Sequence, residues 1–271
     1  MVPVQKLASG HSIPVLGLGT WQLTGKKCAE AVQKALELGY THIDTAQVYG
    51  NQPEIAKAIA GFDRKKLFIT SKVWHSDLRS NSVEPACERI LSELETPYVD
   101  LLLIHWPNRS VPIAETLEAM GNLVKQKKAK SIGVSNFTVP HLKEALETKA
   151  IISANEVEFH PAFFQKELLD FCNQKKIAVI AYSPLGRNSI LNHPVLREIA
   201  KKNSKLVSQI CLRWLLQKGL VVIPKASSET HLAENMRLFG WELSLEDEQR
   251  IDSLGEKNRL LNPGFAEFNK K

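Results

Sequence analysis

The sequence predicts an α/β fold, a single (β/α)8 TIM barrel over residues 1–271 with an N-terminal β-hairpin and extra surface helices. Eight apolar segments alternate with amphipathic helical patterns, which indicates a parallel sheet covered by helices. No G-x-G-x-x-G loop follows the first segment, where Gly17-Leu18-Gly19 continues as Thr20-Trp21-Gln22. A doubly wound nucleotide-binding sheet is therefore disfavoured. The length of 271 residues also suits a barrel, which typically needs about 250.

The chain begins with a predicted hairpin that covers residues 2–9 and 12–16. The first barrel strand is predicted at Pro14 to Leu18. The first helix spans the apolar stripe from Cys28 to Leu36, and Gly39 stops it. The other seven strands are predicted at residues 41–44, 67–72, 99–104, 130–134, 152–156, 177–182 and 220–223.

Amphipathic helices are predicted between these strands. Pro53 suits the first position of one helix, and Gly61 ends it. In the long gap before the last strand, the spacing from Val207 to Leu215 predicts one more helix. Ser244 to Asp252 is predicted as a surface helix, followed by a polar tail over residues 258–271.

Composition and charge argue against several classes of protein. The net charge is +6, but the lysines are scattered and no arginine-rich run occurs. A solvated surface is therefore favoured over a nucleic-acid role, although an attraction for anionic ligands stays open. No stretch approaches 18 uninterrupted apolar residues, so no membrane association is expected.

The four cysteines predict core packing rather than chemistry. They form no C-x-x-C pair, and each falls on the apolar stripe of a predicted helix: Cys28, Cys87, Cys172 and Cys211. Free buried cysteines are typical of a reducing compartment, so a cytoplasmic location is predicted.

Polar side chains follow the predicted strands at their carboxyl ends. Asp44 ends one strand and Tyr49 lies in the loop after it, while Lys72 ends the next and His105 follows the one after. In a (β/α)8 barrel these ends meet on one face, where the active site lies. Three of the five tryptophans fall on the same rim, which predicts a ligand pocket there: Trp21, Trp74 and Trp106.

These groups predict proton transfer to or from a carbonyl compound. A phenol titrates near pH ~10 in water. An ammonium beside it lowers that pKa, and a carboxylate holds the ammonium in place. Tyr49, Lys72 and Asp44 are suited to such a relay, and His105 to holding a carbonyl oxygen. Singly, each residue is more often structural, but four at three successive strand ends favour a catalytic site. No repeated ligand spacing predicts a metal.

The sequence resembles the aldo-keto reductases over essentially the whole chain, and within them the bacterial branch of 2,5-diketo-D-gluconate and methylglyoxal reductases. The matching segments occur in family order: Gly17-Leu18-Gly19-Thr20-Trp21, Ile43-Asp44-Thr45-Ala46 with Tyr49, Thr70-Ser71-Lys72-Val73-Trp74, Ile104-His105-Trp106-Pro107, Ile132-Gly133-Val134-Ser135-Asn136-Phe137, Asn155-Glu156-Val157-Glu158-Phe159-His160-Pro161, Ala181-Tyr182-Ser183-Pro184-Leu185-Gly186 and Ile223-Pro224-Lys225.

The resemblance implies NADPH-dependent reduction of aldehydes or ketones by a monomer, with Tyr49 as general acid, Lys72 and Asp44 tuning it, and His105 orienting the carbonyl. The implied substrate-binding residues are Trp21, Trp74, His105 and Trp106. The implied cofactor-binding residues are Thr20, Trp21, Asp44, Ser135, Asn136, Glu156, Tyr182, Ser183, Leu185, Lys225, Ser227, His231, Glu234 and Asn235. Within that set, Tyr182 would stack on the nicotinamide and Lys225 would meet the 2′-phosphate.

Three residues depart from the family pattern. Glu156 stands where the family usually has glutamine, Ala226 where it often has serine, and His231 where it often has arginine. The last two weaken the preference for NADPH, so use of NADH stays open. An ionised Glu156 would favour the oxidised cofactor, whereas a carboxyl protonated by burial would mimic the amide.

Two other functions stay open at this point. Lys72 at a strand end is also typical of a Schiff-base aldolase, and some relatives of this family are non-catalytic cofactor-binding subunits.

Overall fold

A cylinder of eight parallel strands forms the centre of the computed structural model, which describes residues 2–255 and 259–268. Each strand pairs with its neighbours in chain order. The strands are β3 (Leu18–Gly19), β4 (His42–Asp44), β5 (Phe68–Val73), β6 (Val99–Ile104), β7 (Ala129–Ser135), β8 (Ile152–Glu158), β9 (Ala178–Tyr182) and β10 (Val221–Val222). The ring closes where Leu16 pairs with Val222 in parallel. The (β/α)8 barrel prediction is confirmed.

A short antiparallel hairpin, β1 (Val4–Lys6) and β2 (Ser12–Pro14), precedes the barrel. Its Leu7 and Ile13 side chains are buried against Phe68 and Leu101, which lie near the starts of their strands. The hairpin therefore plugs the amino-terminal end of the barrel and leaves the other end for a ligand.

The predicted first strand, Pro14 to Leu18, was wrong in its bounds. Pro14 pairs with Val4 in the hairpin, whereas Leu18 pairs with Ile43 in the barrel. The predicted segment is thus divided between two sheets, and both pairings bury an apolar side chain, so hydrophobicity alone cannot separate them.

The helices surround the barrel: α1 (Gly25–Glu37), α2 (Gln52–Ile59), α3 (Ser80–Glu93), α4 (Ile113–Lys125), α5 (Val139–Leu146), α6 (Lys166–Gln174), α7 (Pro194–Asn203), α8 (Val207–Gln217), α9 (Glu229–Met236) and α10 (Leu245–Asp252). The sequence reading predicted α8 but missed α7 and α9. Only Leu196, Ile199 and Ala200 of α7 are buried, so its apolar stripe is weak.

The four cysteines lie in the core, as predicted. All of them are fully buried and free. Burial raises the pKa of each thiol, to about 11 for Cys28 and about 12 for Cys87, Cys172 and Cys211. No helix within the described residues is long and apolar enough to cross a membrane.

The chain after α10 crosses the carboxyl-terminal mouth of the barrel. The buried Glu158 carboxylate accepts the backbone N–H groups of Leu260 and Leu261, at 2.6 and 2.9 Å. Glu267 accepts from the Arg109 backbone N–H at 2.7 Å. We call residues 259–268 the strap. The predicted polar tail was wrong for the strap, which packs apolar side chains on the mouth, whereas residues 258 and 269–271 lie outside the described part of the chain.

Candidate active site

A cavity of about 650 Å³ opens at the carboxyl ends of the strands, a volume that suits a small ligand. Most of the predicted site residues line it: Thr20, Trp21, Asp44, Tyr49, Trp74, His105, Trp106, Ser135, Asn136, Glu156, Tyr182, Ser183, Leu185 and Lys225. Four predicted cofactor residues lie outside its wall: Ser227, His231, Glu234 and Asn235.

A rigid turn after β4 carries Tyr49. Residues Gln47–Tyr49 form one turn of 3-10 helix, and Gly50 ends it in the left-handed region at φ 62°. Asn51 then ties the turn to the barrel, because its side-chain amide donates to the carbonyls of Thr20 and Leu23, both at 2.9 Å. The phenol is therefore presented to the cavity by a short segment with little freedom.

Lys72 lies beneath the cavity, completely buried, with its ammonium surrounded by oxygen atoms. Nζ is 2.6 Å from Asp44 Oδ1, 3.0 Å from the Thr45 carbonyl and 3.1 Å from Glu156 Oε1. Burial on its own lowers the pKa of Lys72, but the two carboxyl groups outweigh it, so that the pKa is raised. Lys72 is thus a fixed cation.

The Tyr49 ring faces both this cation and His105. The Lys72 ammonium is 5.4 Å from the ring centroid, and the His105 ring centroid is 5.7 Å away. Burial raises the pKa of Tyr49, Lys72 opposes that shift, and Asp44 adds to it. The expectation of a lowered phenol pKa was wrong, because burial outweighs the ammonium. At neutral pH the phenol keeps its proton.

His105 is neutral in this setting. Burial lowers its pKa well below the ordinary value, and the charge of Lys72 lowers it further. The ring also packs edge-on against Trp74, at 5.1 Å between centroids. Its Nδ1 has no hydrogen-bond partner among the described residues. A neutral imidazole carries one N–H, which can donate to an oxygen of a bound ligand.

Hydrogen bonds link the ends of β7, β8 and β9 along one wall of the cavity. The Tyr182 hydroxyl donates to Asn136 Oδ1 at 2.8 Å, and Asn136 Nδ2 donates to the His105 carbonyl at 3.0 Å. The Ser135 hydroxyl donates to the Glu156 carbonyl at 2.8 Å. The network fixes the Tyr182 ring and the Asn136 amide in the wall.

Glu156 is buried, and its carboxyl group faces Lys72. Burial raises its pKa well above the ordinary value, Asp44 raises it further, and Lys72 only partly opposes the shift. Of the two readings that the sequence left open, the structure favours the protonated carboxyl.

The edge of the cavity carries a positively charged side chain without an ion-pair partner among the described residues. Lys225 is exposed at the cavity edge and forms no ion pair with any residue that the structure describes. Ser228 caps α9 by accepting the His231 backbone N–H at 3.3 Å, and His231 is exposed. This end suits an anionic group.

The sequence matches one family model over most of its length. The model is described as the aldo/keto reductase family and covers residues 15–256. The chain belongs to this family. The resemblance seen in the motifs is thereby confirmed, and a nicotinamide cofactor follows from membership.

Individual relatives align with this chain over nearly its whole length. An uncharacterized oxidoreductase of Bacillus subtilis is 43% identical over 94% of this chain and 93% of its own length. Glyoxal reductase of the same organism is 42% identical over 94% of each chain. The crystal structure of an aldo/keto reductase from Brucella melitensis superposes with a TM-score of 0.90 at 40% identity, covering 94% of this chain and 100% of that one.

The site fits a nicotinamide cofactor on two observations of this reductase. The cavity wall includes Tyr49 and Glu156 from the strand ends and also Lys225, which follows the last strand. The Lys225 charge lacks an ion-pair partner in the described structure, as a phosphate site would require. Within residues 2–255 and 259–268, no cluster of His, Cys, Asp and Glu side chains could hold a metal ion.

Several cavity residues of the reductase were missed by sequence reasoning. Phe265 of the strap packs edge-on against Trp74 and Trp106, at 5.7 and 5.4 Å between ring centroids. The Arg187 guanidinium lies over the Trp21 ring, 4.6 Å from its centroid. No local pattern in the sequence selected these two side chains.

Proposed function

We propose that this chain reduces small aldehydes and ketones to alcohols with NADPH, and that Tyr49 is the general acid. The observation that carries the proposal is the grouping of a protonated phenol and a neutral imidazole beside a buried ammonium on the cavity wall. Glyoxal reductase among the relatives supports α-dicarbonyl compounds such as methylglyoxal as substrates, and diketo-gluconate-like sugars are a second group to test. The molecule acts as a cytoplasmic monomer of one domain.

Four residues would carry out the proton transfer and the orientation of the substrate. His105 donates its N–H to the carbonyl oxygen and sets the orientation of the substrate. When bound beside this carbonyl, a reduced nicotinamide would be the source of the hydride. Tyr49 gives its phenolic proton to the oxygen, so the O–H bond of Tyr49 breaks and an alcohol forms. The Lys72 charge stabilises the resulting phenolate, and Asp44 holds Lys72 in place.

Other residues would bind the cofactor. Ser135, Asn136 and Glu156 line the cavity and would hold the carboxamide, and Tyr182 would stack on the nicotinamide. Lys225 would meet the 2′-phosphate as a point charge. Trp21, Trp74 and Trp106 would line the substrate end.

The surroundings of Lys72 argue against a Schiff-base aldolase. A nucleophilic lysine must lose its proton and reach the substrate, whereas Lys72 is completely buried and its pKa is raised by two carboxyl groups.

A substrate panel tests the proposal. NADPH and NADH oxidation would be followed with methylglyoxal, sugar-derived dicarbonyls and aromatic aldehydes, and we expect turnover with NADPH and at least one carbonyl. A parallel incubation with borohydride and no nicotinamide would trap an adduct at Lys72 itself only in an aldolase. Cofactor binding without turnover on any substrate would indicate a non-catalytic subunit.

A further inference from the structure

Two carboxyl groups converge on a single buried cation beneath the cavity. Lys72 donates to Asp44 and to the Thr45 carbonyl, and its third contact is Glu156 Oε1 at 3.1 Å. Asp44 is 2%, Lys72 0% and Glu156 2% exposed. An ammonium has three N–H groups, so these contacts can use all of them.

The charges of this cluster do not balance if both acids are ionised. Two carboxylates and one ammonium would leave a net negative charge away from water, which is unfavourable. The other titratable groups facing the cluster are Tyr49, His105 and Tyr182 from the mouth and His42 from below. None of them supplies a second positive charge, because burial lowers the pKa of both imidazoles.

Two buried oxygens also lack a donor. Asp44 Oδ2 and Glu156 Oε2 have no hydrogen-bond partner in the described structure, and both carboxyl groups contact the same Lys72 ammonium, at 2.6 and 3.1 Å. One proton between them would remove the excess charge and satisfy both oxygens. A proton on Glu156 does this while leaving Asp44 ionised against Lys72.

We propose that Glu156 is a positioning residue of the proton-donating centre: it carries a proton at neutral pH, donates it to Asp44, and so holds Lys72 at a fixed distance from Tyr49. The raised pKa of Glu156, caused first by burial, agrees with this protonation. The role of Lys72 toward Tyr49 rests on the proposed reductase function, whereas the protonation of Glu156 does not.

Loss of this proton in alkali changes the centre in two ways. The added negative charge raises the pKa of the Tyr49 phenol further, which weakens charge stabilisation of the phenolate. It also favours a cationic oxidised nicotinamide over a neutral reduced one in the cavity. Glu156→Gln keeps the size of the side chain but cannot ionise, so it isolates both effects.

Infrared spectroscopy of the free protein tests the protonation without cofactor or turnover. We expect a carboxylic-acid carbonyl band at neutral pH that disappears in Glu156→Gln. The matched control is Asp100→Asn, because Asp100 is a buried carboxylate held by Arg64 and Lys130, and its replacement should leave the band. A wild-type spectrum at neutral pH without any band that Glu156→Gln removes would overturn the proposal.

Binding of both cofactor forms tests the consequence. Titrations from pH 6 to 10 by fluorescence should show the preference for NADPH over NADP+ falling with pH in the wild-type protein, by at most tenfold per pH unit. In Glu156→Gln the preference should show no such fall. Identical pH profiles in the two proteins would count against the proposal. Absence of turnover on every carbonyl would instead refute the reductase function and leave the infrared result standing.

The substitution could weaken folding, so the wild-type protein supplies a second measurement. The intensity of its carboxylic-acid band should fall reversibly as the pH rises. The pH at the midpoint of this fall should equal the pH at the midpoint of the change in cofactor preference. A band that persists while the preference changes would assign the effect to another group and overturn the proposal.

Discussion

At the scale of single residues, burial decides which groups of the site carry charge. Burial raises the pKa of Tyr49 and lowers that of His105, so the phenol stays protonated and the imidazole neutral. Lys72 stays charged in spite of burial, because its pKa is raised by the carboxyl groups beside it. These charge states suit the proposed transfer of a proton from the Tyr49 phenol to a substrate oxygen.

Replacement of Tyr49 by phenylalanine tests the proposed acid. The ring contact with His105 is kept, but no proton can be transferred. General acid catalysis is typically worth about 10²–10⁴-fold, so kcat/KM for methylglyoxal should fall by at least that scale while NADPH binding, measured by fluorescence, is retained. Tyr98→Phe is the control, since Tyr98 contacts Arg64 and Lys130 away from the mouth. Near wild-type turnover in Tyr49→Phe would show that the acid is another group.

Replacement of Lys225 by alanine tests the phosphate contact. Losing a charge-assisted hydrogen bond costs roughly 1.5–3 kcal/mol, about a ten- to hundredfold change in affinity. NADPH should therefore weaken by that factor while NADH, which lacks the 2′-phosphate, changes little. Lys65→Ala serves as the control because Lys65 is an exposed lysine before β5, at the opposite end of the barrel. Equal losses of NADPH and NADH affinity in Lys225→Ala would show that Lys225 supports the loop instead.

The double substitution Ala226→Ser with His231→Arg should raise the selectivity for NADPH over NADH.

The raised pKa of Glu156 predicts a stability that depends on pH. The unfolded chain loses the Glu156 proton near pH 4.5, its ordinary value, whereas the folded protein keeps it to a higher pH. Above that point the unfolded state binds fewer protons, so the free energy of unfolding falls as pH rises, by at most about 1.4 kcal/mol per unit. Glu156→Gln lacks this loss. In urea unfolding its stability relative to wild type should increase from pH 5 to pH 8, and a constant difference would contradict the shift.

The sequence could predict which side chains meet at the mouth of the barrel, but not their charge states. Asp44, Lys72 and His105 each end or follow an apolar strand, and barrel geometry brings such ends together. The direction of the Tyr49 shift was predicted wrongly, because a sequence shows the neighbouring lysine but not the burial that outweighs it.

At the scale of elements, the strap converts an open barrel mouth into a pocket. Glu158 holds its beginning through the N–H groups of Leu260 and Leu261, and Glu267 holds its end on Arg109 and His141. The two Glu158 contacts join residues that are more than a hundred positions apart in the chain. Sequence reasoning missed the strap for that reason, since its apolar residues follow neither a helical nor a strand period and its partners are distant.

Phe265→Ala tests how the strap shapes the pocket. The ring covers Trp106 and Trp74, so its removal should enlarge the substrate end. We expect kcat/KM for bulky aromatic aldehydes to rise about tenfold relative to methylglyoxal, a change on the order of 1–2 kcal/mol in selectivity. Phe62→Ala is the control, because Phe62 has similar exposure, 37% against 42%, but lies outside the cavity wall. An unchanged ratio in Phe265→Ala would remove the strap from substrate selection.

At the scale of the whole molecule, the barrel depends on a seam between its first and last strands. Gly17 N–H donates to the Val222 carbonyl and Val222 N–H to the Val15 carbonyl, both at 2.9 Å, and Gly19 N–H reaches the Pro224 carbonyl at 3.2 Å. The alternation of strands and helices predicted the eight-unit barrel. It could not predict the seam, because β3 and β10 have only two residues each and the paired residues Leu16 and Val222 lie far apart in the chain.

Gly19→Ala tests the seam directly. A Cβ on Gly19 would lie 2.6 Å from the Ile223 carbonyl oxygen, closer than van der Waals contact, so the first and last strands must separate. Overpacking of this kind costs about 1–3 kcal/mol, and the midpoint of urea unfolding should fall accordingly. Gly121→Ala is the matched control: it lies inside α4 with no atom near its Cβ position, and alanine in a helix interior is worth about 0.5–1 kcal/mol over glycine. The two substitutions should thus move the midpoint in opposite directions. Since Gly19 also lines the cavity, Gly19→Ala should lose cofactor affinity together with stability. A Gly19→Ala protein as stable as the wild type would show that the barrel can close without the close backbone contact at this glycine.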